Sequence, residues 1–413
     1  MNYYSERRKK VAEMMEDNSL LYVFSGKSIM RSYDESYPGF VDRNFFYLTG
    51  IKQLGLVLQI SKIEGKVGEK LFILPYDEVL AKWVGGRIRE QEATEISGIE
   101  TIADVANLRD DFQNFFGRVR GSSALNLYVD IYRFNPEQDD TLGMKFAKEI
   151  RDKYLNVSIK DAYPIFKTLR QIKDEDEIAK IRTAIAITDT GIKAMMANVT
   201  DGMNEKLLEG IFNLNLSRHL ATTAFGTICA SGPRANILHY GTNNQPVKDG
   251  DLVLVDLGAQ KDEYKADISR TFPVSGKFTE RQKEIYRVVL NAQKLVERIA
   301  KPGLTIRDLQ NMVVRYYEQA LPLIGLHEPV NHYYYHNISH EIGLDTHDTF
   351  DRTETVLKEG MVISNEPGLY IEEEGIGIRI EDDLLITADG CENLSKDIIK
   401  EIEDIEAFMK KEA

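Results

Sequence analysis

An acidic residue inside an apolar run is the feature that most limits how this chain of 413 residues can fold. Residues 252–258 are Leu-Val-Leu-Val-Asp-Leu-Gly, a run typical of a strand buried on both faces. A short polar segment follows, and a second strand is predicted after it. If the turn is centred between Lys261 and Asp262, Asp256 lies opposite Asp267. Two carboxylates placed in this way repel each other unless a cation lies between them.

A second predicted hairpin repeats this arrangement further along the chain. Glu366 and Glu381 are symmetric about Glu373 and Glu374, which belong to a polar turn between apolar segments. Pro367 cannot donate a ladder hydrogen bond, so we expect the strand to be irregular there. Each acidic residue alone has an ordinary alternative, a solvated position at a strand end. Because acidic residues are almost never fully buried unless they are paired or bound to metal, two such hairpins favour a metal site.

The distribution of histidines points to the same region. Only seven histidines occur in the chain, and three of them, His336, His340 and His347, lie within thirteen consecutive residues. The His-x3-His spacing is weak by itself, because it also arises by chance on helix surfaces. His332 is interpreted as an ordinary loop residue. His239 follows an apolar pair and is equally compatible with a buried core histidine.

Six spaced motifs resemble those of the pita-bread metallopeptidases, which include methionine aminopeptidases, prolidases and Xaa-Pro aminopeptidases. The resemblance spans roughly residues 170–405 and rests on motifs at 237–240, 255–258, 266–271, 336–348, 365–370 and 378–383. Segments near the start of the chain also resemble the creatinase-type N-terminal domain of aminopeptidase P, at 5–14, 31–38 and 42–50. A methionine aminopeptidase lacks such a domain, so the resemblance is to the Xaa-Pro aminopeptidase branch.

This resemblance implies two domains. An α/β N-terminal creatinase-like domain (residues 1–165) precedes an α+β pita-bread catalytic domain (residues 166–413). The sequence pattern agrees, because strand-like and helical segments alternate before residue 161. Asp174 and Glu177 then predict a capping box at the start of a long helix that continues to about Ala197.

The resemblance also implies a site with two divalent metal ions. In this family pattern Asp256 chelates one ion, Asp267 and Glu381 bridge both, and His340 and Glu366 complete the shell of the second. A metal-bridging hydroxide would attack the scissile carbonyl, and Glu366 would carry its proton to the leaving nitrogen. Four carboxylates and one imidazole without a thiolate suit Mn²⁺, with Co²⁺, Zn²⁺ or Fe²⁺ as alternatives.

Further residues of the catalytic domain are implied to form the substrate pocket. His239, His336 and His347 would act as catalytic residues that contact the substrate and stabilise the tetrahedral intermediate. Tyr370 and Arg379 would contact the substrate or support the ligands. The alternative is that Tyr370 only packs and Arg379 is a surface charge.

Two residues of the N-terminal domain are candidate substrate-binding residues. Asn44 occupies the position of an Asp that, in many aminopeptidase P sequences, helps to hold the free amino group of the substrate. Asn retains hydrogen bonding but loses the charge, so either Asp42 substitutes or the substrate preference differs. Trp83, the only tryptophan, lies in a segment similar to one that can reach across a subunit contact in that family. Local packing is the alternative for Trp83, and a homodimer or homotetramer is expected.

Composition excludes several other classes of protein. The formal net charge of −14 argues against a surface for nucleic acid or anionic membranes. No apolar run approaches the roughly 20 residues of a membrane-spanning helix. Cys229 and Cys391 are too few for a disulfide framework, and the first residues lack the apolar core of a signal peptide. A reducing cytoplasm is therefore the expected location.

The function implied by the resemblance is that of an Xaa-Pro aminopeptidase, which removes an N-terminal residue linked to proline from a peptide. A prolidase, restricted to Xaa-Pro dipeptides, shares the catalytic fold and is the nearest alternative. A non-catalytic binding protein on the same fold is the alternative from another class. Creatinase keeps the fold without the metal ligands, whereas this chain has all five.

Overall fold

The chain forms two compact units, residues 1–169 and residues 170–413. They are described by a computed structural model that covers residues 2–119, 125–349 and 354–410. The domain boundary predicted between residues 165 and 166 falls inside the helix Tyr163–Gln171. Within the described residues, no helix is long and apolar enough to cross a membrane.

The N-terminal unit is a mixed six-stranded sheet with helices. Its strand order is β4-β3-β2-β1-β5-β6, and β2 is antiparallel to both of its neighbours whereas the other pairs are parallel. Apolar side chains of the sheet and of two helices share one core, so the predicted alternation of strands and helices is confirmed. The elements are β1 (Ser19–Phe24), β2 (Val57–Ile63), β3 (Lys66–Ile73), β4 (Ile102–Asp104), β5 (Leu125–Val129), β6 (Val157–Asp161), α1 (Tyr3–Met14), α2 (Arg43–Thr49), α3 (Glu78–Val84), α4 (Glu90–Ser97), α5 (Leu108–Val119), α6 (Leu142–Lys153) and α7 (Tyr163–Gln171).

The C-terminal unit combines long helices with four small antiparallel sheets. The sheet orders are β11-β10-β7, β12-β9-β8, β13-β16-β17 and β14-β15. The helices are α8 (Glu175–Asn198), α9 (Glu205–Arg218), α10 (Glu280–Ile299), α11 (Ile306–Ala320), α12 (Val330–Tyr333) and α13 (Ile402–Met409). The strands are β7 (Thr222–Thr223), β8 (Ile228–Ser231), β9 (Leu252–Leu257), β10 (Ala259–Lys261), β11 (Tyr264–Lys265), β12 (Ile268–Pro273), β13 (Val362–Asn365), β14 (Gly368–Ile371), β15 (Ile376–Arg379), β16 (Asp382–Ile386) and β17 (Cys391–Asn393).

The capping box predicted at the start of α8 is confirmed. The side chain of Asp174 accepts a hydrogen bond from the backbone N–H of Glu177, and the carboxylate of Glu177 accepts one from the backbone N–H of Asp174. These two bonds satisfy donors that the first turn of a helix otherwise leaves without partners. The helix therefore begins at the predicted residue.

The pairing predicted for the first hairpin is wrong by two residues. Asp256 lies opposite Ser269, because the two-residue turn consists of Asp262 and Glu263, with φ of 50° and 70°. Moving the turn centre by one residue shifts the register by two. Side-chain direction in a strand repeats every two residues, so this shift keeps Asp267 on the face of Ser269, diagonal to Asp256.

The pairing predicted for the second hairpin is confirmed. Strand β13 pairs with β16 and β14 pairs with β15 in one continuous register, which places Glu366 opposite Glu381. The ladder is interrupted between β13 and β14, where Pro367 has no N–H to donate, as expected. Asp267 likewise lies in the interruption between β11 and β12. Asp267, Glu366 and Glu381 therefore lie where regular pairing is interrupted, whereas Asp256 lies within β9.

Candidate metal centre

The two hairpins and the segment that contains His340 bring acidic side chains together around one imidazole. His340 Nε2 lies 3.4 Å from Asp267 Oδ2, 3.4 Å from Glu366 Oε1 and 4.0 Å from Glu381 Oε1. Ligand atoms of Asp267, His340 and Glu381 all lie within 4.8 Å of one another, close enough to hold one metal ion. Asp256 is near enough for its charge to raise the pKa of Asp267, Glu366 and Glu381.

The hydrogen bonds of His340 determine which ring nitrogen faces the carboxylates. Nδ1 lies 3.2 Å from the carbonyl oxygen of Glu341. A carbonyl only accepts, so Nδ1 donates to it, and Nε2 is the ring nitrogen that faces the carboxylates. Backbone bonds with Ser364 fix the residue, because His340 N donates to Ser364 Oγ (2.9 Å) and Ser364 N donates to His340 O (2.8 Å). Nε2 is therefore held close to the carboxylate oxygens of Asp267 and Glu366, where it can act as a metal ligand together with them.

Charge repulsion within this cluster is strong. Burial raises the pKa of Asp267 well above its usual value, and the charges of Asp256, Asp383 and Glu366 raise it further. Burial, followed by the charges of Asp267 and Glu366, also raises the pKa of Glu381. Asp256 Oδ1 is buried and has no hydrogen-bond partner within the described ranges. Acidic side chains that repel one another, one of them with a buried oxygen that has no donor, fit divalent cations, which prefer oxygen ligands.

Arg379 is a buried cation that donates hydrogen bonds to side chains of the cluster. Its guanidinium donates to Asp256 Oδ2 (2.7 Å), Ser269 Oγ (2.9 Å) and Tyr370 Oη (2.8 Å). Ser269 Oγ in turn donates to Glu381 Oε2 (2.8 Å). Arg379 is only 3% exposed, so the alternative interpretation as a surface charge is wrong. The side chain links carboxylates of both hairpins.

A chain of hydrogen bonds leads from Arg379 to His336. The ring of His336 lies 2.8 Å from Asn337 O through Nδ1 and 2.9 Å from Tyr370 Oη through Nε2. Because Nδ1 donates to the carbonyl of Asn337, Nε2 accepts from the hydroxyl of Tyr370. Burial and the charge of Arg379 lower the pKa of His336 to about 3. His336 is thus neutral, and Tyr370 does more than pack.

The other two predicted catalytic histidines, His239 and His347, are exposed. The ring of His347 is 4.2 Å from the ring of His340, at 62°. Partial burial and the charges of His340 and His239 lower the pKa of His347 to about 4. His239 is exposed, so its interpretation as a core histidine is wrong. His332, in contrast, lies on the surface, 2.9 Å from Glu373, and it belongs to the short helix α12, so its interpretation as a loop residue is wrong.

Three polar residues that the sequence interpretation did not single out complete the surroundings of the ligands. Ser269 bonds Glu381 and Arg379, Ser364 bonds His340 and Glu366, and Asp383 accepts from the backbone N–H of Asp267. Each of the three lies two positions from a predicted ligand: Ser269 from Asp267, Ser364 from Glu366, and Asp383 from Glu381. Since side chains two apart on a strand share a face, this spacing is the signal that identifies them.

The candidate residues of the N-terminal unit are placed as follows. Asn44 is buried in α2, and its Nδ2 donates to Asp130 Oδ2 (2.9 Å). Asp42 caps the same helix, accepting from Phe45 N (2.9 Å). Trp83 in α3 is 82% exposed, so its alternative role in local packing is not supported. The substrate-binding roles of Asn44 and Trp83 stay predictions.

Replacing Arg379 with methionine is expected to lower the free energy of unfolding of the metal-free protein by about 3–5 kcal/mol. The substitution keeps an unbranched side chain but leaves Asp256 buried without its cation. Urea denaturation measures the loss. The matched control is Arg182→Met, which breaks an ion pair of the same 2.7 Å length with Glu392 at the surface and should cost less than about 1 kcal/mol. Equal losses in the two variants would contradict the supporting role.

Comparison with known proteins decides the family. Residues 179–388 match the family described as Metallopeptidase family M24, and residues 4–122 match the Aminopeptidase P, N-terminal domain. The chain belongs to metallopeptidase family M24. It is 33% identical to the Xaa-Pro aminopeptidase of Haemophilus influenzae, over 98% of this chain and 96% of that protein. It is 32% identical to the Xaa-Pro aminopeptidase of Escherichia coli, over 98% and 97%.

Solved structures of M24 proteins extend this similarity to the fold. A putative aminopeptidase P from Bacillus anthracis is similar with a TM-score of 0.95 and 42% identity, covering 98% of this chain and 97% of that chain. Aminopeptidase P from E. coli with the inhibitor Pro-Leu gives 0.90 and 32%, over 98% and 97%. The predicted fold, an α/β creatinase-like domain followed by an α+β pita-bread catalytic domain, is confirmed. The predicted enzyme class is confirmed too, since the chain is a metallopeptidase.

Proposed function

We propose that this metallopeptidase is an Xaa-Pro aminopeptidase, which hydrolyses the bond between an N-terminal residue and a penultimate proline. The observation that carries the proposal is the grouping of Asp267, His340 and Glu381 within 4.8 Å. This group occurs in a chain that is similar, over 98% of its length, to proteins named Xaa-Pro aminopeptidase. The proline preference follows from those relatives, because a metal site alone can hydrolyse any amide.

Two divalent cations would be held by the predicted ligands Asp256, Asp267, His340, Glu366 and Glu381. When bound, such ions polarise a carbonyl and lower the pKa of a water molecule. The unpartnered Oδ1 of Asp256 and the raised pKa values of Asp267 and Glu381 support this assignment. All protein donors are oxygens except one imidazole, so Mn²⁺ is proposed, with Co²⁺, Zn²⁺ or Fe²⁺ as alternatives.

The side chains around the cluster have different roles in the proposed reaction. Glu366, whose pKa is raised by burial, takes a proton from the attacking water and passes it to the leaving nitrogen. Tyr370 and the backbone hold His336 in one tautomer and fix its ring, so the substrate would contact a neutral ring in a defined position. His347 and the exposed His239 contact the substrate and stabilise negative charge that develops on the carbonyl oxygen.

Location and assembly remain predictions that accompany this function. A reducing cytoplasm fits the free thiols of Cys229 and Cys391. A homodimer or homotetramer fits the exposed ring of Trp83, since aromatic residues are enriched at interfaces.

The test is hydrolysis of the tripeptide Arg-Pro-Pro and the dipeptide Gly-Pro by metal-free protein supplied with Mn²⁺. Mass spectrometry of the products should show release of the single N-terminal residue from both. The control peptide Arg-Ala-Pro, without a penultimate proline, should stay intact. Cleavage of the dipeptide alone would make the protein a prolidase. Intact peptides with bound metal would favour a binding protein on the same fold.

A further inference from the structure

Glu205 is a buried carboxylate of the C-terminal unit that lies outside the metal centre and has no role in the chemistry proposed above. Glu205 is the first residue of α9 and is 0% exposed. Its Oε1 accepts from Ser231 N (2.9 Å), Ser231 Oγ (2.7 Å) and Arg234 Nε (2.9 Å). Its Oε2 accepts from the hydroxyl of Tyr240 (2.8 Å) and from Gln245 N (3.0 Å). Five donors therefore converge on one side chain.

All of these donors belong to residues 231–245, the segment that carries His239. We name residues 231–245 the histidine segment. Glu205 binds both ends of the histidine segment. Its side chain accepts from Ser231 N at the first end, and its own backbone N–H donates to the carbonyl of Gln245 (2.9 Å) at the other. Asn243 adds a second attachment to α9, since its Nδ2 donates to Glu209 Oε2 (2.8 Å). His239 lies between these fixed points and is itself exposed.

Tyr240 connects this network with the pocket. Its hydroxyl is bound by Glu205, and its ring belongs to an apolar cluster that includes Leu238 and Tyr370. Tyr370 is the residue whose hydroxyl binds His336. The two neighbours of His239 in the chain are therefore packed in the apolar cluster that contains Tyr370, which restricts the directions that the imidazole can take.

The network requires an ionised carboxylate. Burial alone would raise the pKa of Glu205, but the hydrogen bonds from Ser231, Gln245 and Arg234 outweigh it and lower the pKa. A glutamine has one acceptor oxygen, and its NH₂ group would meet the N–H or O–H donors of the histidine segment. Such buried donors without acceptors are costly, so the segment would have to rearrange.

We propose that Glu205 is a positioning residue, which fixes the histidine segment and, through Tyr240, orients His239 towards the substrate. The proposal rests on the Xaa-Pro aminopeptidase function for the identity of that substrate. Glu205 touches neither substrate nor metal and acts through His239.

A double-mutant cycle tests whether Glu205 acts through His239. Glu205→Gln should lower kcat/KM for Arg-Pro-Pro by about 10- to 100-fold, as expected for a misplaced catalytic group. In the His239→Ala background the same substitution should change kcat/KM by less than about 2-fold, because the group that it positions is absent. The same fold-change in both backgrounds, or a loss of bound Mn²⁺ in Glu205→Gln, would overturn the proposal.

Tyr240→Phe provides a milder variant in case Glu205→Gln does not fold. It removes only the hydroxyl, so we expect a smaller loss of kcat/KM that also disappears in the His239→Ala background. The matched control is Tyr22→Phe, which removes a buried hydroxyl from the N-terminal unit, where it accepts from Gln59 (2.6 Å). Equal effects of Tyr240→Phe and Tyr22→Phe would argue for a general loss of stability and against positioning.

Hydrogen exchange of the metal-free protein gives a readout that needs no activity. Amide exchange in the histidine segment should be faster in Glu205→Gln and in Tyr240→Phe, and exchange in α10 should not change. Unchanged exchange in the histidine segment would refute the positioning role even if the parent is an active Xaa-Pro aminopeptidase. A parent that cleaves no Xaa-Pro peptide would refute the proposed function, and the exchange measurement would still decide whether Glu205 fixes the segment.

Discussion

Glu381→Ala is expected to abolish peptide hydrolysis and to release metal. The loss in kcat/KM should be roughly 10³-fold or more, because a metal Lewis acid contributes several kcal/mol and each 1.4 kcal/mol is tenfold in rate. By the family pattern Glu381 would be a ligand of both ions, so its loss would weaken both sites. Metal content after dialysis against a low Mn²⁺ concentration and the rate of Arg-Pro-Pro cleavage are the two measurements.

The position of Glu381 in the cluster predicts a second effect of Glu381→Ala, on thermal stability. Its carboxylate is buried, and burial followed by the charge of Asp267 raises its pKa. In the absence of metal, Glu381→Ala should therefore be at least as stable as the parent, whereas with Mn²⁺ the parent should be the more stable protein. Thermal melts of both proteins, with and without Mn²⁺, measure this crossover.

His239→Ala is the comparison that separates the two roles. His239 is exposed and is not a predicted ligand, so its variant should keep the metal and lose less activity than Glu381→Ala. Equal metal content in Glu381→Ala and the parent would rule out the assignment of Glu381 as a bridging ligand.

The geometry of the carboxylates could be predicted from the sequence because side-chain direction in a strand depends on parity. The register predicted for the first hairpin is wrong by two residues, since Asp262 and Glu263 both adopt a positive φ, which Asp tolerates but Glu does not favour. A shift of two residues keeps Asp267 on the predicted face of its strand. The predicted grouping of the carboxylates is therefore unaffected. In the second hairpin Gly375 supplies the positive φ at the turn, and the predicted register is correct.

The supporting hydrogen bonds could not be predicted in the same way. Arg379 reaches Asp256 across 123 residues of sequence, and Glu205 reaches Gln245 across 40, so no local spacing indicates either contact. These contacts are needed because both side chains are buried, since a buried ion needs partners whereas an exposed one does not. Burial of a single charged residue could not be read from the sequence. The N-terminal segments resembled a known domain, but the sequence did not show that Asn44 is bonded to Asp130.

Removing the divalent cations with a chelator is expected to abolish activity and to lower the melting temperature. Ligands that bind only the folded state stabilise it by about 2.7 kcal/mol at one hundred times their Kd, which corresponds to roughly 5–10 °C for a unit of this size. Without cations, buried carboxylates face one another at the centre. Calorimetry before and after chelation, and after Mn²⁺ is restored, measures the change. An unchanged melting temperature after confirmed metal loss would contradict the site.

The pH dependence of the metal-free protein makes this prediction specific to the carboxylate cluster. The folded state raises the pKa of Asp267 and of Glu381, so in the interval between their usual values and the raised ones it binds more protons than the unfolded state. Stability then falls as pH rises through that interval. The metal-free protein should therefore gain stability on acidification through that interval, although most proteins do not. Asp382 has the opposite shift, because Arg270 and Lys400 outweigh burial and lower its pKa, so its contribution is lost only in stronger acid. With Mn²⁺ bound, the cations keep the cluster ionised and the gain on acidification should disappear.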